Sequence, residues 1–444
     1  MRRITILVSL RVLLGHAVLF AGGIVTNTNQ SAEFMRTLNR NASTDLDAVY
    51  FNPAGTALFS PGLHLYLSNQ SIAQTRTIKT NNPLYNSETF KGETSAPLFP
   101  NIYVAYNLGD LTFSGGFMPI GGGGSAEFKK GLPSFETPFA SLSDNVPAAV
   151  LNSQLASYGY INGYSLEENF TGSSVYYGGQ ATAAYKISPM ISAAVGLRMV
   201  YAKNTYQGYL RNIKLYTTKN PAGSPPGVLT SAMLGATFAD KEVDAERTGS
   251  GISWLVSANF TPMKGLNLAV QYESITKLEM TNKTTKDDVG MFPDGEKINA
   301  DIPAMIAAGA RYQVMPGFAT EVSYNYYFNT SVNWDGEENY VNNGWESGIA
   351  FEYQVAERVK TSVGFLRAVA GTTPQYQSDL SYSLNSNSIA LGAVYSVSPA
   401  MDVSIGFSNT FYEEGVNKYD IPSQKQTYDK TAIVGAVGIA YSFK

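Results

Sequence analysis

The stretch from Thr431 to Phe443, TAIVGAVGIAYSF, alternates between large apolar residues and very small ones. The odd-numbered positions carry mainly Ile and Val and end in Tyr441 and Phe443, whereas the even-numbered positions are mostly Ala and Gly. A period of two predicts a β-strand. A strand of a soluble sheet would usually place polar residues opposite its apolar face. We therefore interpret this stretch as the closing strand of a transmembrane β-barrel, with a core strand of a secreted β-protein as the alternative.

The composition suits a large barrel and excludes several kinds of site. The chain has 444 residues, and Tyr outnumbers Trp by 29 to 3. Tyr is suited to a barrel rim, where one end of the ring is apolar and the other is in water. The absence of cysteine excludes disulfides, thiolate catalysis and cysteine metal sites. A net charge of −4 without a basic block argues against a nucleic-acid partner, and we expect no cofactor and no metal.

Residues 1–21 have the pattern of a secretory signal peptide. Arg2 and Arg3 form a basic start, and a largely apolar run follows them. Cleavage is expected after Ala21, with Ala17 as the rival position. A membrane anchor is the alternative interpretation of this segment. Beyond it, the sequence has no apolar run of the roughly 18 residues that a transmembrane helix needs.

Residues 22–60 lack strand alternation, and we expect them to form a separate, mostly helical segment. Short helices are predicted for Ser31–Leu38 and Ser43–Val49. Ser43, Thr44 and Asp45 are candidate N-caps for the second of these helices. The segment ends in Asn52-Pro53-Ala54-Gly55, whose residue types are typical of a turn.

The remainder of the chain, residues 61–444, is predicted to form fourteen strands, an even number as in single-chain bacterial barrels. Short connections alternate with long ones, of which the largest are expected at about 132–173 and 210–248. Short turns at one end and long loops at the other are typical of an antiparallel transmembrane barrel. The predicted strands are 61–78, 98–108, 111–119, 174–187, 190–209, 249–262, 266–280, 302–315, 318–331, 345–355, 358–368, 386–397, 400–412 and 430–443.

Charged residues fall consistently on the less apolar face of the predicted strands. On the lipid face at mid-depth, each Arg or Lys would cost about 2–4 kcal/mol. We therefore expect these residues to face the lumen, either as mutually paired structural groups or as ligand contacts. The residues concerned are Arg198, Glu273, Arg311, Glu321 and Glu352.

Two of the long loops contain apolar residues at helical spacing. Leu151, Leu155 and Tyr158 would share one face of a helix that begins near Asp144 or Asn145, and Leu229 and Met233 would do so in the second loop. Apolar faces on such loops either bury against each other or present an apolar surface. In the second case these five apolar residues would be candidates for ligand capture.

Short motifs occur in order along the chain: Gly22-Gly23, Asn29-Gln30-Ser31, Ala42-Ser43-Thr44-Asp45, Asn52-Pro53-Ala54-Gly55, Glu127-Phe128, Trp254, Tyr272, Ser274, Asp301-Ile302-Pro303, Gly309, Arg311 and Tyr312. Together they resemble the FadL/TodX family of outer-membrane channels for hydrophobic compounds. The resemblance spans nearly the whole mature chain. The segment after Gly131 and the loop near Pro225 depart from the family pattern.

The resemblance implies a fourteen-stranded barrel whose N-terminal segment folds inside the lumen as a hatch, with Asn52 to Gly55 as its motif. It also implies a kinked third strand that opens a gap in the wall, which we place at Gly115 and Gly116, followed by Pro119 and the glycines at 121–124. A simple bulge or flexible turn is the alternative interpretation of these glycines. The expected function is passive uptake of a hydrophobic small molecule, such as a long-chain fatty acid or an aromatic hydrocarbon, across a Gram-negative outer membrane. Outer-membrane lipid is the expected surrounding, and the chain is expected to be a monomer.

Other functions of an outer-membrane barrel remain open at this point. A lipid hydrolase with a serine nucleophile would need a histidine base, and His64 is the one histidine outside the predicted signal peptide. A general porin and a structural or adhesive barrel are the further alternatives. A hatch would argue against an open pore.

Overall fold

The computed structural model describes residues 31–222, 227–419 and 424–443. The predicted signal peptide lies outside these residues. The helices are α1 (Ala32–Thr37), α2 (Ala48–Phe51), α3 (Pro133–Leu142) and α4 (Ser231–Leu234). The strands are β1 (Gly62–Thr80), β2 (Thr89–Asn107), β3 (Leu111–Phe128), β4 (Val146–Pro147), β5 (Tyr160–Lys186), β6 (Ile191–Thr217), β7 (Gly227–Thr230), β8 (Lys241–Met263), β9 (Leu266–Glu273), β10 (Glu279–Asp287), β11 (Lys297–Asn299), β12 (Met305–Met315), β13 (Phe318–Tyr327), β14 (Gly344–Ala356), β15 (Val359–Val369), β16 (Ser386–Ser398), β17 (Met401–Tyr412), β18 (Gly415–Val416) and β19 (Gln426–Ser442).

These strands form one closed antiparallel sheet, a barrel in which fourteen strands run side by side around the wall. β9 and β10 count as one interrupted barrel strand, because both pair with β8. β11 and β12 form the next barrel strand, because they pair with β10 and β9 respectively. β4, β7 and β18 are short strands that pair within the long loops. The barrel closes where β1 pairs with β19 from His64 opposite Ser442 to Thr80 opposite Gln426. The predicted architecture, with the stretch Thr431–Phe443 in the closing strand, is confirmed.

The outer face of the barrel carries an exposed apolar band. On β6, Val195, Leu197 and Met199 are each more than half exposed, while Arg198 on the opposite face is buried. On β19, Ile433 and Val437 point outward in the same way. Among the described residues, no helix is long and apolar enough to cross a membrane. The face assignments made from residue parity therefore hold for both strands.

Several strands extend well beyond their predicted ends. β2 begins at Thr89 rather than 98, β3 continues to Phe128, and β5 begins at Tyr160 within the segment expected to be a loop. β6 and β8 pair with each other as far as Leu210 opposite Lys241. The outward residues of these extensions are polar, so they lack the apolar alternation by which the membrane-spanning parts were predicted. The paired strands of the barrel wall therefore extend beyond the apolar band, toward the end that carries the long loops.

Residues 31–60, the described part of the hatch, lie inside the barrel. Ser31 caps α1 by accepting a hydrogen bond from the Phe34 N–H at 2.9 Å, as the predicted first helix requires. The second helix was predicted for Ser43–Val49 but runs over Ala48–Phe51, because residues 43–47 form a turn around the Arg40 side chain. A 3-10 helix over Pro53–Leu58 completes the hatch.

Glycines on five neighbouring strands make room for the backbone of the hatch. A Cβ added at Gly364 would overlap the carbonyl oxygen of Thr37, and one at Gly392 would overlap the Cβ of Arg36. One at Gly438 would lie 3.0 Å from the Cβ of Ala32. The small residues on the inner face of β19 therefore serve the same purpose as those on its neighbours. These glycine notches are Gly348 on β14, Gly364 on β15, Gly392 on β16, Gly406 on β17 and Gly438 on β19.

Candidate functional site

A cavity of about 400 Å³ lies in the lumen above the hatch. Phe34, Met35 and Leu38 of the hatch form its floor, and Tyr382 and Leu384 approach it from the loop between β15 and β16. Much of the remaining lining consists of Ser and Thr hydroxyl groups on the strands. The cavity therefore has both apolar and polar walls, and the hatch separates it from the end of the barrel where the short turns lie.

The wall of this cavity is interrupted between β2 and β3. Their pairing stops at Thr94 opposite Ala126 and resumes only at Ile102 opposite Phe117. Residues 95–101 of β2 and 118–125 of β3 therefore make no ladder with each other. Thr94 also lines the cavity, so the break and the cavity adjoin.

The break does not lie at Gly115 and Gly116, where the kink was expected. Gly115 pairs with Val104 on one side and Ala181 on the other, and Gly116 is likewise paired on both sides. The ladder with β2 ends at Phe117, and Pro119, three residues after Gly116, lacks a donor for it. We therefore correct the position of the interruption to residues 118–125.

The kink in β3 has a definite origin in its register with β5. Between Pro119 and Gly124, β3 advances by five residues while its partners on β5 advance by only three, from Tyr177 to Ser174. Two surplus residues must therefore bulge out of the ladder. Gly122 takes a φ of +92°, which glycine adopts without the cost that a side chain would add.

The inner side of the break is apolar and closely packed. Met118 and Ile120 are buried and pack in one cluster with Tyr103, Tyr176 and the hatch residue Phe51. Hatch and kink therefore share a core, so a shift of one changes the packing of the other.

A second, smaller pocket opens on the surface of the long-loop end. Phe135, Phe170, Leu210, Met291 and Phe292 are among its lining residues. Phe170 also lines the lumenal cavity, and its ring meets that of Phe135 edge-on at 5.5 Å between centroids. One aromatic side chain thus stands between the surface pocket and the lumen. Sequence reasoning missed this pocket because its residues come from five separate segments that show no common periodicity.

The predicted helix after Asn145 is wrong. The α-helix in this loop is α3, which comes earlier, and the segment 146–158 forms a two-residue strand and 3-10 turns. Pro147 ends that short strand and directly precedes the 3-10 helix over Ala148–Val150.

The apolar residues predicted in the two long loops are brought together in part. Leu155 and Leu229 are buried in one cluster, against which Leu151 and Tyr158 pack. Met233 in α4 remains 40% exposed. Four of the five residues therefore pack against each other rather than form an open apolar face.

The Asn52-Pro53-Ala54-Gly55 motif fastens the hatch to the barrel wall. The Asn52 amide donates hydrogen bonds to the Ser43 carbonyl at 2.9 Å and to Asn259 Oδ1 at 2.7 Å. The Ala54 N–H donates to the Ser257 hydroxyl, and the Ser192 hydroxyl donates to the Ala54 carbonyl at 2.7 Å. The motif begins a 3-10 helix and is held at its own backbone, which fixes its position.

All five predicted lumenal charges lie inside the barrel and form ion pairs. Arg198 pairs with Glu273 at 2.6 Å, and Arg311 contacts Glu321 and Glu352. Sequence reasoning did not identify their partners in the hatch.

Two arginines of the hatch join the same network. Arg36 pairs with Glu33 at 2.5 Å and with Glu352, and Arg40 makes two hydrogen bonds to Asp47, each of 2.7 Å. The lumenal charges therefore hold the hatch in place, as the paired, structural interpretation expects.

Beyond the apolar band, Glu168 on β5 faces Glu136 on α3. The Tyr164 hydroxyl and the Asn86 N–H both donate to Glu136. Burial, together with the charge of Glu136, raises the pKa of Glu168 to about 10. When ionised, Glu168 leaves its Oε2 buried without a hydrogen-bond partner, whereas the protonated acid is a donor. In its neutral form Glu168 can therefore donate a hydrogen bond toward Glu136 on α3.

Replacing Glu168 with glutamine is expected to stabilise the barrel at alkaline pH. The folded state holds this proton more tightly than the unfolded chain, whose carboxyl has a pKa of 4.5. Stability is therefore lost as pH rises from 4.5 towards about 10, and the amide removes that loss. Thermal unfolding of E168Q and of the exposed control E167Q across this pH range measures the effect. An unchanged pH dependence in E168Q would contradict the assignment.

His64 contacts a serine that sequence reasoning did not connect with it. Its Nδ1 lies 2.8 Å from the Ser442 hydroxyl, and its Nε2 lies 2.7 Å from the Ser60 carbonyl oxygen. A proton on Nε2 suits both contacts, since the carbonyl can only accept. The two residues are opposite each other in the β1–β19 register, so the contact follows from closure of the barrel.

A closed fourteen-stranded barrel, filled by its own N-terminal segment and interrupted beside an internal cavity, defines the fold class of hatch-plugged β-barrels. Solved structures with this fold include a FadL homologue from Pseudomonas aeruginosa, with a TM-score of 0.67 and 13% identity over 96% of this chain and 100% of that one. The toluene transporter TodX of P. putida aligns with a TM-score of 0.59 and 11% identity over 90% and 95% of the two chains. The toluene transporter TbuX of Ralstonia pickettii gives 0.54 and 14% over 90% and 94%.

No protein-family model and no curated protein sequence matches this chain. The similarity therefore resides in the fold, and the resemblance to FadL and TodX is confirmed at that level.

Proposed function

We propose that this protein is an outer-membrane channel through which hydrophobic small molecules, such as long-chain fatty acids or similar compounds, enter a Gram-negative cell passively. The observation that carries the proposal is the adjacency of the lumenal cavity, the hatch floor and the break between β2 and β3. A water-filled pore offers a hydrophobic solute no favourable binding site, whereas the apolar floor of the lumenal cavity does. The channels with this fold that carry toluene support the same class of substrate.

The proposed path has four steps. The surface pocket collects the compound, with exposed Met233 and the packed loop residues Leu151, Leu155, Tyr158 and Leu229 shaping the surrounding loops. Displacement of the Phe170 ring admits it to the lumenal cavity. A shift of the hatch, hinged at Asn52 to Gly55, loosens the shared core at the kink. The compound then leaves sideways into outer-membrane lipid through residues 118–125, and no oligomer is needed for this route.

Deleting Gly122 and Gly123 is expected to abolish uptake while the barrel still assembles. The deletion makes β3 equal in length to its partners on β5 between Pro119 and Gly124, so that the two strands can pair there without a bulge. Without its bulge, β3 can lie alongside residues 95–101 of β2, and pairing between β2 and β3 closes the break. Uptake of a radiolabelled fatty acid by cells that carry the variant, compared with cells that lack the protein, measures the effect.

Ligand binding by the purified deletion variant serves as the control. Binding should persist, because the cavity floor and the surface pocket are untouched. Undiminished uptake in cells with a correctly assembled variant would rule out the lateral exit.

A general porin and a structural or adhesive barrel are the rival functions. The hatch fills the bore, so single-channel recordings in planar bilayers should show small or no open currents. Large, steady currents would favour the porin. The His64–Ser442 contact provides a direct test of the hydrolase: we expect H64A to leave any esterase activity of the preparation unchanged.

A further inference from the structure

The helix α3 covers the connection between the surface pocket and the lumenal cavity. Phe135, in its first turn, lines the surface pocket and meets the Phe170 ring edge-on at 5.5 Å between centroids. Phe170 lines both the surface pocket and the cavity. Because Phe135 packs against it, the Phe170 ring is held in place by α3, and the contacts that fix α3 control this passage.

Carboxyl groups fix α3 from three sides. Asp379, on the loop between β15 and β16, accepts a hydrogen bond from the Ser134 N–H at 2.7 Å. Glu136, which belongs to α3 and is 1% exposed, accepts one from the Asn86 N–H on the β1–β2 loop at 2.7 Å. It also accepts one from the Tyr164 hydroxyl on β5. The helix is thus tied to the barrel wall and to two neighbouring loops.

Glu168 is a third carboxyl group beside α3. It lies on the same face of β5 as Phe170, two residues away. A Cβ added at Gly131, in the turn that leads from β3 into α3, would overlap Glu168 Oε2. This oxygen is buried without a hydrogen-bond partner, and the ladder partner of Glu168 on β6 is the apolar Leu210. The turn at Gly131 therefore shields Glu168 Oε2 from water.

No positive charge compensates these carboxyl groups. Among the described residues, none of the three forms an ion pair with a lysine or an arginine. Lys129 and Lys130, in the turn before Gly131, are exposed. A second negative charge in this cluster would repel the first across the contact between β5 and α3. The ionisable groups that face Glu168 or its carboxyl neighbours are Glu136 on α3, Asp379 on the β15–β16 loop, Tyr164 on β5 and Tyr85 on the β1–β2 loop.

The proton on Glu168 is therefore what allows α3 to lie against β5. Burial and the charge of Glu136 raise the pKa of Glu168 to about 10, and burial raises the pKa of Asp379 as well. A carboxyl group with a raised pKa keeps its proton below that pKa and loses it as pH rises through it. The contact between α3 and β5 weakens over the same pH range.

We propose that α3 is a proton-dependent lid, closed while Glu168 shares a proton with Glu136 and open when that proton is lost. Gly131, with a φ of +61°, is the hinge, because the turn that shields Glu168 joins the barrel wall to the helix. Opening withdraws Phe135 from Phe170 and joins the surface pocket to the lumen. The inference rests on the proposed uptake function and adds to it control of entry by pH.

The test measures the distance between a spin label on the lid and one on the wall by pulsed electron paramagnetic resonance. Labels on S141C in α3 and K283C in β10 are suitable, since both positions are exposed and the chain has no other cysteine. In phosphatidylcholine nanodiscs, the protein with native carboxyl groups is expected to show a single distance near neutral pH. A second distance should then grow about tenfold per pH unit and reach about half of the population near pH 10.

Three variants separate the lid from a merely structural contact. E168Q should keep the single distance up to about pH 11, because its amide has no proton to lose in this range. E136Q removes the charge that raises the pKa of Glu168, so its transition should move down by about one pH unit or more. E167Q, at the exposed neighbouring position, is the matched control and should behave like wild type. Assembly of each variant is checked by its heat-dependent migration on a denaturing gel.

A wild-type distance that does not change with pH, or an unaltered transition in E168Q, would overturn the lid. Should E168Q fail to assemble, an unshifted transition in E136Q would overturn it equally. The same nanodiscs, compared with empty ones, are tested for binding of a fluorescent neutral alkyl probe, which should associate faster as the second distance grows. Binding with an immobile lid would refute the lid and leave uptake standing, whereas a lid that opens on a protein that binds no probe at any pH would refute the uptake function alone.

Discussion

Replacing Gly364 with leucine is expected to prevent the hatch from seating and to destabilise the assembled protein by about 3 kcal/mol or more. The first side-chain atom at this position would already overlap the backbone of Thr37, which cannot move aside as a flexible side chain could. The neighbouring notches at Gly392 and Gly406 hold the same stretch of hatch, so a small displacement cannot relieve the clash. Urea unfolding in lipid vesicles measures the loss, and bilayer recordings detect the unblocked lumen.

The matched control for this substitution is Gly435 to leucine. Gly435 lies on the lipid-facing side of β19, and nothing would lie within 4 Å of its added Cβ. G435L should therefore assemble and unfold like wild type. Equal unfolding midpoints and equal conductance for G364L and G435L would show that the notches do not hold the hatch.

Replacing Glu352 with glutamine is expected to cost about 3–5 kcal/mol, the usual penalty for leaving buried charges without their partner. Glu352 is 3% exposed and is the wall carboxylate that Arg36 of the hatch contacts. Arg311 contacts it as well, and Lys360 Nζ lies 3.8 Å away. The amide keeps the shape of the side chain and removes the charge on which three cations depend. The loss is measured as a shift of the urea midpoint in vesicles.

The control for this substitution is E357Q, in the exposed turn after the same strand. An exposed surface substitution of this kind is expected to stay within about 0.5 kcal/mol of wild type. Limited proteolysis should cut the hatch of E352Q sooner than that of E357Q, since Arg36 is part of α1. Identical midpoints and cleavage rates would mean that the ion pairs do not anchor the hatch.

The barrel could be predicted because a membrane imposes alternation on each strand that crosses it. Thr431–Phe443 shows this most clearly: lipid requires its large outward residues, and the hatch requires its small inward ones. The same constraint placed the five lumenal charges, since lipid would reject them. Outside the membrane this alternation is not required, so the strands could not be predicted there. The parts of β5 and β6 on the long-loop side were therefore assigned to loops, although they are paired strands.

The candidate site was predictable only in outline. Glycine and proline marked β3 as irregular, but the position of the kink depends on its register against β5 and β2, which belongs to the assembled sheet. The pairing of His64 with Ser442 likewise depends on which strands become neighbours at closure. Composition and periodicity carry no information about contacts between the two ends of a chain.

A disulfide between the hatch and the wall tests the central claim, that the N-terminal segment lies inside the barrel. A Cβ at position 438 would lie 3.0 Å from that of Ala32, near the roughly 3.5–4.5 Å that disulfides span, and the hydroxyl groups of Tyr66 and Ser404, 2.6 and 2.8 Å from it, must shift by a few tenths of an ångström. The chain contains no other cysteine, so thiol titration of oxidised A32C/G438C has no background. We predict complete loss of free thiol in this variant and full retention in A32C/G435C, whose second cysteine faces lipid. Free thiols in both variants after oxidation would contradict the account.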